Sequence, residues 1–184
     1  GLAAALAGRA GRAQPAAPRE TKVTRLTNGG YIHNAVISPD GKYFAYTEEE
    51  GAAARLWLRQ VAGGQPVTLV PEIEHPIPGL TFAPDGQAVY FVTAGQSNLP
   101  GALYRVPALG GAVTKLLTGI FSPVAFAPDG QRLAFIRFEE RIEGYSLVVT
   151  DITGGNERVM LTRSGLERFG QDGPSWSPNG QEIA

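Results

Sequence analysis

The hydrophobic positions of this chain fall into short runs that are separated by Pro, Asp and Gly. The clearest example is AVISPDGKYFAY, in which the apolar runs 35–37 and 43–46 flank Ser-Pro-Asp-Gly. β-Branched and aromatic runs of this length favour strands over helices. Pro39 presets φ for the second position of a tight turn, Asp40 can bond its own backbone, and Gly41 accepts a positive φ. The pattern therefore predicts a β-hairpin.

This hairpin pattern is repeated along the chain. It begins at Ile37, Phe82, Phe126 and Trp176, so the intervals are 45 (82−37), 44 (126−82) and 50 (176−126) residues. A second pattern, in which Gly-Gly joins two apolar runs, has its pairs at 63–64, 110–111 and 154–155. Two independent patterns that share one period indicate a repeated structural unit.

Each unit is predicted to contain four strands, which in the first unit are 33–38, 43–47, 55–61 and 66–70. Four short antiparallel strands in each unit of this length are typical of a β-propeller blade. A β-sandwich also has short strands and turns, but nothing in it requires a repeated hairpin at constant spacing. We predict an all-β fold, a β-propeller of four-stranded antiparallel blades, here an incomplete arc of about three and a half blades.

The predicted propeller covers residues 20–184, with blades at 31–71, 76–118, 120–162 and, incomplete, 172–184. The sequence KVTRLT at 22–27 resembles the fourth strands but precedes the first complete blade. It is therefore predicted to be an orphan strand that closes the ring by completing the last blade. Because the chain starts at Gly1 and stops inside a fourth unit, we expect it to be part of a longer protein. Such an arc leaves strand edges and apolar faces unpaired, which predicts poor solubility on its own.

Residues 1–19 differ in composition from the rest of the chain. The sequence GLAAALAGRAGRAQPAAPR consists largely of Ala, Gly, Pro and Arg, which predicts a linker or juxtamembrane tether. The alternative is the end of a membrane span, although about twenty apolar residues are needed to cross a bilayer.

The composition excludes several classes of protein. Apolar residues make up 43% of the 184 residues and charged residues 18%, which suits a folded domain with a core. The net charge of −1 lacks the basic excess that is expected of a nucleic-acid-binding protein. The chain has no Cys, which excludes disulfides, thiolate zinc sites and Cys nucleophiles. It has only two His, which argues against a His-rich metal site. We expect no cofactor and no metal.

The repeats resemble those of the TolB family of WD-like β-propellers. The resemblance covers about residues 22–184 and rests on SPDG or APDG after an apolar strand, then Ala-Phe or Ala-Tyr, then a strand leading to Gly-Gly. A finer resemblance, in segments such as VTRLTNGGYIHNAVISPDGKYFAY and GALYRVPALGGAVTKLL, is to propellers attached to bacterial receptor-type serine/threonine kinases. In those proteins a cytoplasmic kinase domain precedes a membrane helix, a short linker and an outward-facing propeller. Similar propellers follow winged-helix DNA-binding domains in transmembrane regulators.

The resemblance implies a non-catalytic sensing or protein-binding domain that is extracytoplasmic and tethered to the inner membrane by an upstream segment. Its expected partner is a protein or peptide, or a small extracytoplasmic ligand, with no nucleic acid and no membrane contact except through the anchor. The chain has no kinase Gly-rich loop, H-R-D or D-F-G sequence, so kinase activity is implied only for the parent protein. Two alternatives remain: a free periplasmic TolB-like scaffold of the cell envelope, and the propeller of a prolyl-oligopeptidase-type peptidase.

Two groups of residues could suggest chemistry, and both have a simpler explanation. Calcium loops need several oxygen ligands, whereas each repeated hairpin offers one, so its residues are interpreted as structural turns: Pro39, Asp40, Gly41, Pro84, Asp85, Gly86, Pro128, Asp129, Gly130, Pro178, Asn179 and Gly180. His33, Ser122 and Asp172 start equivalent first strands. A triad must approach within about 3 Å, but packed sheets lie about 10 Å apart, so we expect these residues at the mouth of the central channel instead.

The candidate partner-binding face consists of the loops opposite the Ser-Pro-Asp-Gly and Gly-Gly turns. Its predicted residues are His33, Glu72, Glu74, His75, Asn98, Glu139, Arg141, Arg168 and Asp172. The preferred contact loop is PEIEHPIPG, because its three prolines reduce the entropy lost on binding. The run Glu48–Glu50 is interpreted as a solvated loop. The aromatic residues around the turns are predicted to pack between blades: Phe44, Phe82, Tyr90, Phe126, Phe135 and Trp176.

Overall fold

The structure, a computed structural model, describes residues 23–27, 30–51, 53–95, 100–164, 169–170 and 172–184. The strands of blade one are β1 (Tyr31–Ile37), β2 (Tyr43–Glu50), β3 (Ala53–Gln60) and β4 (Val67–Ile73). Those of blade two are β5 (Gly79–Phe82), β6 (Ala88–Thr93), β7 (Gly101–Pro107) and β8 (Thr114–Ile120). Blade three contains β9 (Ala125–Phe126), β10 (Arg132–Glu139), a short 3₁₀ helix (Glu140–Ile142), β11 (Gly144–Asp151) and β12 (Arg158–Ser164).

Within each blade the strands pair antiparallel in chain order, as the hairpin spacing predicts. A bridge between Arg137 and Ile120 also joins β10 to β8, so blades two and three share one continuous sheet. The fourth unit forms a short hairpin in which Trp176 bridges Ile183 and Ser175 exchanges two backbone hydrogen bonds of 2.9 Å with Ala184. The predicted all-β propeller arc is confirmed.

The core lies between the blades rather than within one sheet. One cluster joins blades one and two through residues such as Leu56, Val70 and Phe91. A second cluster joins blades two and three through residues such as Val92 and Phe135. All six residues of β6 are buried, because β6 has a blade on each face.

The predicted aromatic packing is found at the two inter-blade clusters but not at Phe44. Phe82 lies in the first cluster and Phe135 in the second, and the rings of Tyr90 and Phe126 make a T-shaped contact with centroids 4.9 Å apart. Phe44 lies on the face of β2 that points away from blade two, where its ring stacks on Tyr46 at 5.4 Å. No neighbouring blade covers that face within the described ranges, which explains the difference.

The four Ser/Ala-Pro-Asp/Asn-Gly turns lie side by side at one end of the arc. The glycines have φ between +67° and +71°. A Cβ added to Gly86 would lie 3.8 Å from Pro39, one added to Gly130 would lie 3.5 Å from Pro84, and one added to Gly180 would lie 3.5 Å from Pro128. The second, third and fourth turns therefore each lie against the turn of the preceding unit, and we call this end of the arc the turn end.

Several predicted boundaries need correction. The described residues 23–27 of the predicted orphan strand 22–27 are not in a strand, although Arg59 Nη1 donates a hydrogen bond to Leu26 O. Glu48–Glu50, predicted as a solvated loop, belong to β2, because β3 continues far enough to pair with them. Glu139, also predicted in a loop, pairs with Gly144 at the end of β10. The predicted linker 1–19 lies outside the described residues.

Candidate interaction surface

The connections opposite the turn end form a second surface, which we call the loop face. In an antiparallel meander the link from second to third strand and the link from one unit to the next leave the sheet at the same end. The described links at this end include residues 74–78, 121–124 and the 3₁₀ helix Glu140–Ile142. A backbone hydrogen bond of 2.8 Å from Ala94 to Pro76 joins two of these links. The loop face is therefore built from several units.

The link between β4 and β5 is anchored to the core and to β1. Ile77 is fully buried in the first cluster, and its carbonyl accepts a hydrogen bond of 2.7 Å from Asn34 Nδ2. On either side of this anchor, Glu72 at the end of β4 and Glu74 after it are exposed, and His75 is half-buried. A link that is fixed at Ile77 and contains Pro76 and Pro78 presents the carboxylate of Glu74, beside that of Glu72 in β4, with little freedom to move.

His33 lies near the acidic end of β2. Its Nδ1 is 3.4 Å from Glu49 Oε1, an atom enclosed by the protein, and 3.2 Å from Asn34 Nδ2. The His33 ring is exposed and stacks on Tyr31 at 6.3 Å. Glu50, at the tip of β2, pairs with Arg55 at 3.3 Å. This part of the loop face can accept a partner through an imidazole and neighbouring carboxylates.

The start of the first strand in each unit is tightly packed. A Cβ added to Gly79 would lie 2.7 Å from Pro123 Cα, and one added to Gly173 would lie 2.8 Å from Pro123 O. Ser122 is buried, where its hydroxyl donates to Pro123 O at 2.7 Å and accepts from Ile136 N at 2.9 Å. The expectation that Ser122 lines a channel mouth is therefore wrong, because its side chain is buried and its hydroxyl is bonded to two backbone groups.

The remaining predicted residues are dispersed over the surface. Arg141 is exposed on the 3₁₀ helix, Glu139 is half-buried beside it, and Asp172 is exposed before the fourth unit. Asn98 and Arg168 lie outside the described residues. The structure brings together His33, the carboxylate of Glu49 and the link at Ile77, whereas it places Glu139 and Arg141 on another blade.

The ionisable groups with perturbed pKa values lie at the turn end or along the blade faces. The Thr153 hydroxyl and the Gly155 N–H, 2.6 and 2.8 Å from Asp151 Oδ1, hold the pKa of that carboxyl below its usual value. Two hydrogen bonds of 2.7 Å from Arg137 lower the pKa of Glu157 and raise that of Arg137. These contacts stabilise turns and blade packing.

Sequence reasoning missed two residues that shape the loop face. Ile77 was part of the preferred contact loop, but it is the anchor that fixes the loop to the core. Thr47 is buried, and its Oγ1 accepts a hydrogen bond of 3.0 Å from Asn34 N, which positions the residue beside His33. The isolated Ile among prolines was a signal for the first, whereas nothing local marked Thr47.

Comparison with solved structures identifies this architecture. A putative TolB from Agrobacterium tumefaciens matches 83% of this chain and 56% of its own, with 22% identity and a TM-score of 0.62. The β-propeller domain of the Trilobed protease from Pyrococcus furiosus matches 72% of this chain and 42% of its own, with 14% identity and a TM-score of 0.53. The fold is a β-propeller. An oligogalacturonate lyase in complex with manganese is also similar, with 16% identity, a TM-score of 0.63 and coverage of 83% of this chain and 44% of its own.

The propeller of this chain is TolB-like at the level of fold, and the chain spans about half the length of the structures it matches. No protein-family model and no curated protein matches it. Over the described ranges, no group of three or more His, Cys, Asp or Glu is placed to hold a metal ion. None of the helices described is long and apolar enough to cross a membrane.

Proposed function

We propose that this chain is the non-catalytic, protein-binding propeller of a membrane-anchored signalling protein, and that its partner binds the loop face. The observation that carries the proposal is the link between β4 and β5. Ile77 is buried and hydrogen-bonded, so the link keeps its shape, while Glu72 and Glu74 stay exposed beside it. A preformed polar surface of this kind suits recognition, because little conformational entropy is lost on binding.

The chemistry of the loop face favours a protein or peptide partner with Lys or Arg at the contact. The carboxylates of Glu72 and Glu74 are exposed, and Glu50 lies at the tip of β2 on the same face. Charge pairs at the rim of an interface increase the association rate and are weakened by salt. We expect partner binding that falls as the ionic strength rises.

Site-specific crosslinking tests this proposal directly. Because the chain has no Cys, Glu74→Cys and Gln87→Cys each give one attachment point for a photo-crosslinker, on the loop face and at the turn end respectively. We expect crosslinked partner protein from position 74 only, reduced by Glu72→Gln in the same chain. Crosslinks from position 87 but not from 74 would contradict the proposal.

The parent protein is proposed to be an extracytoplasmic receptor of the serine/threonine kinase class. This rests on the sequence resemblance described above and on the composition of residues 1–19. The test is the reading frame that surrounds the gene segment. A kinase domain followed by about twenty consecutive apolar residues supports the proposal, and an upstream region without such a span refutes it.

The fold similarity favours one other candidate, a periplasmic scaffold like TolB, because a putative TolB is similar over 83% of this chain. A cleavable signal peptide in place of a membrane span would identify this case. The remaining candidate is a peptidase that has this propeller as one of its domains. Such a protein would carry a G-x-S-x-G sequence downstream.

A further inference from the structure

One cross-strand pair of blade two, Tyr90 with Arg105, departs from the pattern of the repeat. Counted from the turn before it and the Gly-Gly after it, the equivalent pairs are Ala45 with Leu58 in blade one and Ala134 with Val149 in blade three. All four of these apolar side chains are buried. A small and an aliphatic residue therefore satisfy the packing of a blade at this position, so packing does not explain a Tyr and an Arg.

Arg105 and Tyr90 together present hydrogen-bond donors. Arg105 is half-buried, and no carboxylate of the described residues forms an ion pair with it. Burial raises the pKa of Tyr90, and the neighbouring Arg105 guanidinium acts in the opposite direction. The Tyr90 hydroxyl is thus protonated at neutral pH and can donate. A partly buried cation without a counter-ion is costly, and an anionic group that bound there would recover part of this cost.

Both residues line a pocket of about 430 Å³ between blades two and three, which lies at the turn end. Pro84, Phe126 and Ile152 form an apolar part of its wall, and the turn carboxylates Asp85 and Asp129 line it as well. Small-molecule sites typically measure about 300–1,000 Å³. Blades two and three each contain four strands, so the pocket belongs to the interior of the arc.

The two carboxylates of the pocket differ in their partners. Arg132 Nε and Nη2 donate hydrogen bonds of 2.9 and 2.8 Å to Asp129 Oδ2, which neutralises that carboxylate. Asp85 is exposed and accepts a hydrogen bond of 2.9 Å from Gln87 N, but no Lys or Arg of the described residues pairs with it. The pocket therefore offers a positive and a negative charge that do not pair with each other.

We propose that this turn-end pocket binds a free α-amino acid with an apolar side chain. Arg105 and the Tyr90 hydroxyl bind the carboxylate of the ligand, Asp85 binds its ammonium group, and the ring of Phe126 contacts its side chain. Charge-assisted hydrogen bonds of this kind are the stronger ones. A ligand with a single charge would leave one of the two protein charges without a partner. The pocket is at the opposite end of the arc from the loop face, so this proposal and the proposed function can fail separately.

The probe is L-phenylalanine, titrated into the whole chain and followed by the amide NMR shifts. Hydrocinnamate, which has the same skeleton without the ammonium group, is the matched ligand. We expect saturable binding of L-phenylalanine with shifts at Gly130 and Gln131, and binding of hydrocinnamate that is about fivefold weaker. No saturable binding of L-phenylalanine up to about 10 mM, or shifts that leave Gly130 and Gln131 unchanged, would refute the proposal.

Two variants of the protein assign the charges. Arg105→Leu and Asp85→Asn introduce the residue types that other units already have at these positions, at Leu58 and Asn179. Both should therefore fold, which circular dichroism checks. We expect Arg105→Leu to weaken both ligands about tenfold or more. Asp85→Asn should weaken L-phenylalanine by about two- to fivefold without weakening hydrocinnamate, which has no ammonium group to lose its partner.

The control is Arg55→Leu, which removes a cation that pairs with Glu50 on the loop face. It should change the affinity of neither ligand. Equal effects of Arg55→Leu and Arg105→Leu would show that the ligand is not bound in the turn-end pocket. Equal weakening of both ligands by Asp85→Asn would show that this carboxylate does not bind the ammonium group, and either result would overturn the proposal.

Discussion

The turn residues show that an oxygen acceptor, rather than a charge, is what the repeated hairpin requires. Asp40 Oδ1 accepts hydrogen bonds from the Ser38 hydroxyl at 2.6 Å and from Lys42 N at 3.0 Å. Asn179 Oδ1 accepts the equivalent bonds from Ser177 at 2.7 Å and Gln181 at 3.1 Å. The bonds to Asp40, first from Ser38 and then from Lys42, hold its pKa below the usual value.

We expect Asp40→Asn to keep the stability of the chain at pH 7 and to reduce its loss in acid. A carboxyl with a lowered folded pKa stabilises the fold above its unfolded pKa, about 3.9 for Asp, and this contribution is lost as the pH falls towards the folded pKa. Asn forms the same turn bonds without titrating. Urea unfolding at pH 7 and at about pH 3 measures the difference. An equal fall in stability for both proteins would contradict this role of Asp40.

The turn glycines are constrained by backbone conformation rather than by space. At Gly86, φ is +71° and an added Cβ would make only ordinary contact with Pro39. We expect Gly86→Ala to lower the free energy of unfolding by about 1–2 kcal/mol. The matched control is Gly170→Ala, where no atom of the described residues lies within 4 Å of an added Cβ. Urea titration measures both, and equal effects would show that φ is not the cause.

These turns could be predicted from the sequence because their contacts lie within a few residues. The surroundings of His33 could not. Its nearest carboxylate comes from Glu49, and Asn34 beside it bonds to Ile77 O, 43 residues away. Such contacts depend on how two strands and a distant link meet in space, which no local pattern encodes. The candidate site was therefore predicted as a face, but not as a set of contacts.

At the scale of the element, the inner strands approach too closely for a side chain at Gly79. An added Cβ would lie 2.7 Å from Pro123 Cα, an atom that moves only if the backbone moves. We expect Gly79→Ala to cost about 1–3 kcal/mol of unfolding free energy. Thermal unfolding measures it, and an unchanged midpoint would show that the inner strands can separate freely.

The faces between blades carry most of the apolar burial. Phe135 of β10 is fully buried in the second cluster, whereas Ile37 of β1 is 62% exposed on the face away from blade two. We expect Phe135→Ala to cost about 3–5 kcal/mol and Ile37→Ala less than about 1 kcal/mol. Urea unfolding of both variants checks this, and similar losses would place the core elsewhere.

The strands themselves were predictable, but their ends were not. Hydrophobic alternation marks the middle of β2, and the acidic residues after it resemble a loop until β3 is seen to pair with them. The segment 22–27 has the pattern of a fourth strand, yet a strand forms only beside an edge that it can pair with. Residues 23–27 pair with none of the described strands.

At the scale of the whole molecule, stability is expected to be greatest in the middle of the arc. Each blade packs only on its neighbours, so an inner blade is supported on two faces and an outer strand on one. β6 is buried throughout, whereas β12 is largely exposed. We expect amide hydrogens of β6 to exchange most slowly and those of β12 among the fastest. Mass spectrometry of exchanged peptides measures this, and equal protection would contradict it.

The contacts between successive turns have a consequence for how such a chain can change in length. Each of the two inner turns presents a proline to the next unit and a glycine to the previous one, as Pro84 and Gly86 do for blades three and one. A duplicated copy of residues 76–120 inserted after Ile120 would bring both halves of that contact with it. Gain or loss of whole units is thus compatible with the same packing, whereas an insertion of half a unit would leave a proline without its glycine.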